Sequence, residues 1–231
     1  MPYQFSHRFY LQQAGILFVL AAVFFVLSRY RPFDLYFSDL WFDPQINRFP
    51  LTENYWLEVV NHHYVKYFVI AIATGTLILG IIQKKFHWIA IALIMASGPA
   101  IIGLLKSFSH HSCPWDLIRY GGSGHEYPLL GSIPEFPGDG RCFPGGHASG
   151  GFGLMAFYFL LYPISRRMAT WAIIGALSLG MIMGYGQVMR GAHFFSHNLW
   201  TIWWVWSIQL ILYYLYTFGY YRLFPDKESS H

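Results

Sequence analysis

The sequence predicts an all-α, polytopic membrane protein: a bundle of six transmembrane helices with its reactive side chains gathered at the outer face. Three observations carry that prediction. Hydrophobic residues make up 55% of the 231 residues and charged residues only 11%, against about a quarter in a soluble domain. The apolar residues come in uncharged runs close to the length that crosses a bilayer core. The loops between the runs alternate between short basic ones and ones rich in histidine, glycine and aromatics.

The runs are taken in order. Residues 11–27 follow a stretch of mixed polarity and show no small-residue cleavage site, so they read as a helix and not as a signal peptide. Residues 67–83 contain Gly75 and Gly80, which membrane helices tolerate. Residues 88–105 open on Trp88, an interfacial aromatic. Residues 149–164 are short and extend back through preceding glycines; residues 170–189 and 199–220 complete the set. Lys84 and Lys85, Arg166 and Arg167, and Arg222 with Lys227 all fall on one side of such a bundle. Basic loops mark the cytoplasm, which predicts both termini inside and the loops 29–66, 106–148 and 190–198 outside. The net charge of +4 reflects these anchors and calls for no nucleic-acid partner. No repeat or linker divides the chain, so residues 1–231 read as one integral-membrane domain.

The outer loops hold the unusual residues. In "RCFPGGHASGGF", residues 141–152, two glycines and a histidine open a helix. The first N–H groups of a helix have no internal partner, and the helix dipole adds positive charge there. Such an end binds anions, phosphate above all. Gly145 and Gly146 let an anion approach the backbone, and His147 stands beside it. Lys106, Arg190, His193 and His197 come from two further span ends at the same face. Lysine and the planar arginine fork suit phosphate oxygens. A neutral imidazole held by a partner on its far nitrogen is a nucleophile. Two histidines and cations around an anion pocket point to phosphoryl transfer: one histidine attacks phosphorus, the other protonates the leaving oxygen.

These three segments resemble the signature of the type 2 phosphatidic acid phosphatase family. That signature runs Lys–six residues–Arg–Pro, then Pro–Ser–Gly–His, then Ser–Arg–five residues–His–three residues–Asp. Here Lys106 is followed after six residues by Cys113 and Pro114, "PGGH" occupies 144–147, and His193 takes the place of the third-motif histidine. The likeness covers about residues 85–215. It implies a metal-independent hydrolase without cofactor that works through a phosphohistidine, with His193 as nucleophile and His147 as general acid. It also implies that Lys106 and the backbone of Gly145 and Gly146 hold the phosphate of a membrane lipid. Lipid classes that fit are undecaprenyl diphosphate, phosphatidylglycerol phosphate, phosphatidic acid and lipid A. In a bacterium the setting is the inner membrane with a periplasmic site.

The chain departs from the signature at four places. Cys113 stands for the first-motif Arg, Gly145 for Ser, Gly186 and Gln187 for the Ser–Arg pair, and His197 for Asp. Arg190, one turn from Gln187, is the expected replacement for the missing arginine, and His197 the expected partner of His193, with Asp116, Glu126 or Asp139 as sources of negative charge. The two cysteines, Cys113 and Cys142, each adjoin a motif, and an oxidising compartment permits a disulfide between them. It would clamp Lys106 against the phosphate-binding helix end. Competing readings are a zinc site on His147, His193 and His197, a lipid phosphotransferase, and a non-enzymatic lipid-binding or transport protein. The first lacks the glutamate of H-E-x-x-H, and the last lacks a charged midplane and an inverted repeat.

Overall fold

The computed structural model describes residues 1–225, so Lys227, one of the expected cytoplasmic anchors, lies outside the described residues. The described chain is helical. Its elements are α1 (His7–Arg29), α2 (Arg31–Asp39), a π-helical turn (Trp56–Tyr64) that runs into α3 (Val65–Ile82), and α4 (Phe86–Ser107). After a long loop with two short 3₁₀ turns come α5 (Gly146–Gly153), α6 (Phe157–Leu161), α7 (Arg166–Met189) and α8 (Phe195–Leu223).

Four helices are long and apolar enough to cross a membrane: His7–Arg29, Trp56–Ile82, Phe86–Ser107 and Arg166–Met189. They match the runs predicted at 11–27, 67–83, 88–105 and 170–189. The other two predicted spans differ. The one expected at 149–164 starts earlier, at Gly146, and is interrupted by a 3₁₀ turn at Leu154–Ala156 before it resumes as α6. Glycines at 146, 150, 151 and 153 offer no side-chain volume and little helix propensity to hold a regular winding there. The last helix is ample in length, but tryptophans, tyrosines and buried His197, Asn198, Thr201, Gln209 and Thr217 dilute its hydropathy.

The molecule turns apolar side chains outward as well as inward. Leu11, Phe18, Ile82, Leu93, Leu104, Trp171 and Ile211 are all exposed, as expected where the solvent is hydrocarbon. The interior is built around α5, which packs on α4, α7 and α8. A Cβ on Gly151 would lie 2.5 Å from the Gly180 Cα, so glycine on both helices sets the close α5–α7 crossing. Phe159 stacks between Tyr213 and Trp206, at ring-centroid distances of 4.1 and 5.4 Å.

Two contacts fix α8. Asp34 of α2 accepts hydrogen bonds from the backbone N–H (2.8 Å) and hydroxyl of Ser196, capping the first turn of α8 from across the fold. Trp200, Trp203 and Trp206, one per turn, each donate their indole N–H to α1, at Ser28 Oγ, the Leu17 carbonyl and Gln13 Oε1, over 2.8–2.9 Å.

Candidate functional site

One cavity of about 640 Å³ gathers most of the residues singled out in the sequence. Its polar end is lined by Lys106, Gly146, His147, Gln187, Arg190 and His193. Lys106 arrives on the last turn of α4, Gly146 and His147 on the first turn of α5, and Arg190 and His193 from the turn between α7 and α8. The cavity then continues between apolar walls, through Val69, Ile70 and Ala73 of α3, Met95 and Pro99 of α4, and Leu154 and Met183.

The start of α5 has no side-chain cap, which leaves the first-turn N–H groups for an anion. The two glycines are not equivalent. A Cβ on Gly146 would sit 3.8 Å from Lys106 Nζ, so this backbone faces the cavity. Gly145 instead faces α8: its Cβ would come within 2.7 Å of Asn198 Oδ1, and its N–H donates to the His197 carbonyl (3.3 Å). Gly145 is therefore glycine for helix packing, and of the predicted pair only Gly146 lines the cavity.

Cys113 and Cys142 are joined in a disulfide with Cα atoms 5.2 Å apart. It ties the loop after α4 to the lead into α5. Cys142 Sγ lies 3.3 Å from His193 Nδ1 and 3.1 Å from the Ala192 carbonyl oxygen. A disulfide sulfur has no proton to give, so His193 Nδ1–H points at it and at the Cys142 backbone, and Nε2 keeps its lone pair. Burial pushes His193 down to about 3, with Lys106 and His147 acting in the same direction. The ring is held neutral.

His197 is not the hydrogen-bonding partner expected for His193. The two rings are edge-to-face at 5.7 Å, and His197 Nδ1 bonds the Cys142 carbonyl at 3.0 Å. It lies behind the site, facing a separate small cavity beside Asp34 and His111. The carboxylates expected to lend charge are committed elsewhere: Asp116 accepts from the Cys113 N–H (2.9 Å), and Glu126 pairs with Arg31. Neither these two nor Asp139 lines the cavity. The backbone of Cys142 thus takes the place that the sequence assigned to His197.

Arg190 is buried and held from three directions. Its Nε donates to the Thr52 carbonyl (2.8 Å), one terminal nitrogen to Gln187 Oε1 (3.3 Å), and the other lies 3.6 Å from Glu58. Burial lowers its proton affinity, offset in part by Glu58. Gln187 then has a buried side-chain N–H₂ with no partner in the cavity lining, a donor left over for a ligand oxygen.

Four further residues that the sequence does not single out belong to the site, three from the π-helical turn and Lys66 from the first turn of α3. The Asn61 carbonyl bonds His147 Nε2 at 3.0 Å, so that nitrogen carries a proton and Nδ1 is the exchangeable one. His62 packs on the His147 ring at 4.5 Å, and Lys66 lines the same cavity. Glu58 faces Arg190. The signal was present in "VVNHHYVK": polar residues with His62 and Lys66 one turn apart, directly before an apolar run.

As to metals, the grouping of three potential ligands among the described residues is Cys113, Cys142 and His193. Both of its sulfurs are spent on each other, so the donor set does not fit an ion. His147, His193 and His197 form no such group. The arrangement as a whole can seat a phosphate between a helix start, Lys106, Gln187 and Arg190, with one neutral imidazole on either side.

No curated protein and no solved structure matches the chain. A family model described as the PAP2 superfamily matches residues 87–220, from the start of α4 through most of α8. That region supplies Lys106, Gly146, His147, Arg190 and His193, and the chain belongs to the PAP2 superfamily.

Proposed function

We propose that this protein is a membrane lipid phosphatase that works without a metal, through a phosphohistidine on His193. Members of the superfamily are generally phosphatases. The observation that carries the reading is the cavity itself, cationic at one end and apolar along the rest. It suits a phosphate head and a hydrocarbon chain in one molecule. On α3, Lys66, Val69, Ile70, Ala73 and Thr74 share one face. The distance from Lys66 to Thr74 is roughly 12 Å at 1.5 Å per residue, enough to take the first part of a lipid chain.

In this reading the phosphate rests on the α5 start, with Lys106, Arg190 and the Gln187 amide on its oxygens. His193 Nε2 attacks phosphorus as the bond to the leaving oxygen breaks, and His147, which takes up the proton of the phosphate monoanion at Nδ1 when the substrate binds, gives that proton to the leaving oxygen. Nδ1–H of the resulting phospho-imidazolium is held by the Cys142 backbone. A water then attacks the phosphohistidine, returns a proton to His147 and releases inorganic phosphate. The donors stabilise charge that grows in the transition state, which is where such groups act most strongly. The chain crosses the membrane six times, with α5–α6 and α8 as the two further spans. Both termini are cytoplasmic, and the site opens to the outer leaflet of a bacterial inner membrane.

The test is phosphate release in detergent with EDTA present, from lipid phosphates and diphosphates, by wild type and His193→Ala. Release by wild type alone supports the proposal. Equal release by both removes His193 as nucleophile, and release that needs an added acceptor alcohol makes the protein a phosphotransferase.

A further inference from the structure

The cavity is lined by a cation that the phosphate site described above does not use. In the function proposed above, Lys106, Arg190, Gln187 and the α5 start take the phosphate that is lost. Lys66 and His62 line the same cavity from the helix start that precedes and opens α3. Among the described residues Lys66 makes no ion pair, and the one carboxylate at this end, Glu58, faces Arg190. His62 and Lys66 are four residues apart and share a helix face. They sit on the π-helical turn and its continuation into α3, a winding found disproportionately at functional sites.

Their position says which part of a substrate they meet. His62 stacks on His147 at 4.5 Å, and His147 is the group that faces the departing oxygen in the function proposed above. His193, on the attacking side, belongs to a different element. The His62–Lys66 wall therefore borders the leaving group. From this we infer that His62 and Lys66 form a second anion subsite for an acidic leaving group, so that the preferred substrate carries a second negative group next to the phosphate it loses. Two chemistries supply one: the proximal phosphate of a lipid diphosphate, and a phosphodiester beside a terminal phosphate on a glycerolipid. A simple monophosphate, which leaves a neutral alcohol, offers Lys66 no second anion. The inference rests on the hydrolase reading for the side of attack, and on the cavity lining alone for the charge.

The experiment compares kcat/KM on farnesyl diphosphate, farnesyl monophosphate and phosphatidylglycerol phosphate, for wild type, Lys66→Gln, Lys66→Arg and His62→Gln. The expected result is a ratio of acidic-leaving-group to monophosphate turnover that falls at least tenfold in Lys66→Gln and recovers in Lys66→Arg. Whichever of the two acidic lipids shows that fall identifies the source of the second anion. A ratio unchanged by Lys66→Gln and His62→Gln overturns the subsite, whatever happens to the absolute rates. Binding separates this from failure of the hydrolase reading. Tryptophan fluorescence of His193→Ala, with Trp115 in the cavity wall, is titrated with farnesyl methylene-diphosphonate and farnesyl phosphonate. Tighter binding of the diphosphonate that Lys66→Gln abolishes upholds the subsite even if no lipid is hydrolysed. Equal binding of the two overturns it.

Discussion

Replacing both cysteines, Cys113→Ala with Cys142→Ala, tests the coupling between the long outer loop and the reactive histidine. The bond closes a loop with a sequence separation of 29. The chain-entropy relation for such a loop gives about 3.6 kcal/mol of stabilisation, roughly 12 cal/mol/K at 298 K. For a chain of this size that corresponds to a fall in Tm of about 7–14 °C. The local effect is separate. Cys142 Sγ is 3.3 Å from His193 Nδ1, and the Cys142 carbonyl holds His197. Freeing that backbone removes the acceptor that fixes the His193 tautomer, so kcat should fall at least tenfold below the melting range while KM moves less. The assay is a thermal melt in detergent with and without reductant, paired with initial rates at 20 °C below the lower Tm. Full activity in the reduced or doubly substituted protein, with an unchanged Tm, would refute both the clamp and the role given to the Cys142 backbone.

Further outcomes follow from the same geometry. Gly145→Ala drives a methyl to 2.7 Å from Asn198 Oδ1 and should cost about 1–3 kcal/mol of stability as overpacking does, whereas Gly146→Ala meets Lys106 only at ordinary contact and should keep its Tm while raising KM. His193 has its folded value lowered to about 3 by burial, against an ordinary 6.5 once unfolded. Its contribution is therefore complete above pH 6.5 and is lost as pH falls toward 3, and His193→Gln should flatten stability across that window in pH-dependent melts. Asp34 works the other way: burial raises it to about 6, so its contribution is complete below about 4 and is lost as pH rises through 6, a dependence that Asp34→Asn should remove. EDTA should leave phosphate release unchanged, and a loss restored by a divalent ion would contradict the donor set around His193.

Four spans were legible because each is a long run with few interruptions, the feature hydropathy measures best. The α5–α6 segment was harder. Its glycines read as a helix start, and Gly146 opens α5 beside Lys106, yet sequence alone does not say that Gly145 turns to Asn198. That depends on where α8 lies, a contact between residues more than fifty positions apart. The same holds for His197. Its spacing of four from His193 made it a natural partner, but the Phe194–Phe195 junction redirects the chain at the α8 start, and its ring faces the back of the site. The sequence does not give away His62 and Lys66, because the uncharged apolar run of the second span begins only at residue 67. The polar stretch before it looked like loop, and only the π-helical winding shows that it continues the helix and turns those side chains inward. Gln187 departs from the family signature, and its unpaired amide makes it a donor in its own right.

The tryptophan ladder between α8 and α1 bears on how the protein assembles. The matched family region begins at residue 87, so α1 lies outside it, and α1 is among the least enclosed of the membrane-length helices. Its attachment relies on indole N–H groups from Trp200, Trp203 and Trp206, spaced a turn apart. Hydrocarbon tails offer those groups no competing acceptor. Helix α1 is thus held to α8 by directional bonds as well as by packing. Replacing the three tryptophans by phenylalanine removes those bonds, so α1 should loosen from α8 while the cavity, which none of these residues lines, stays intact.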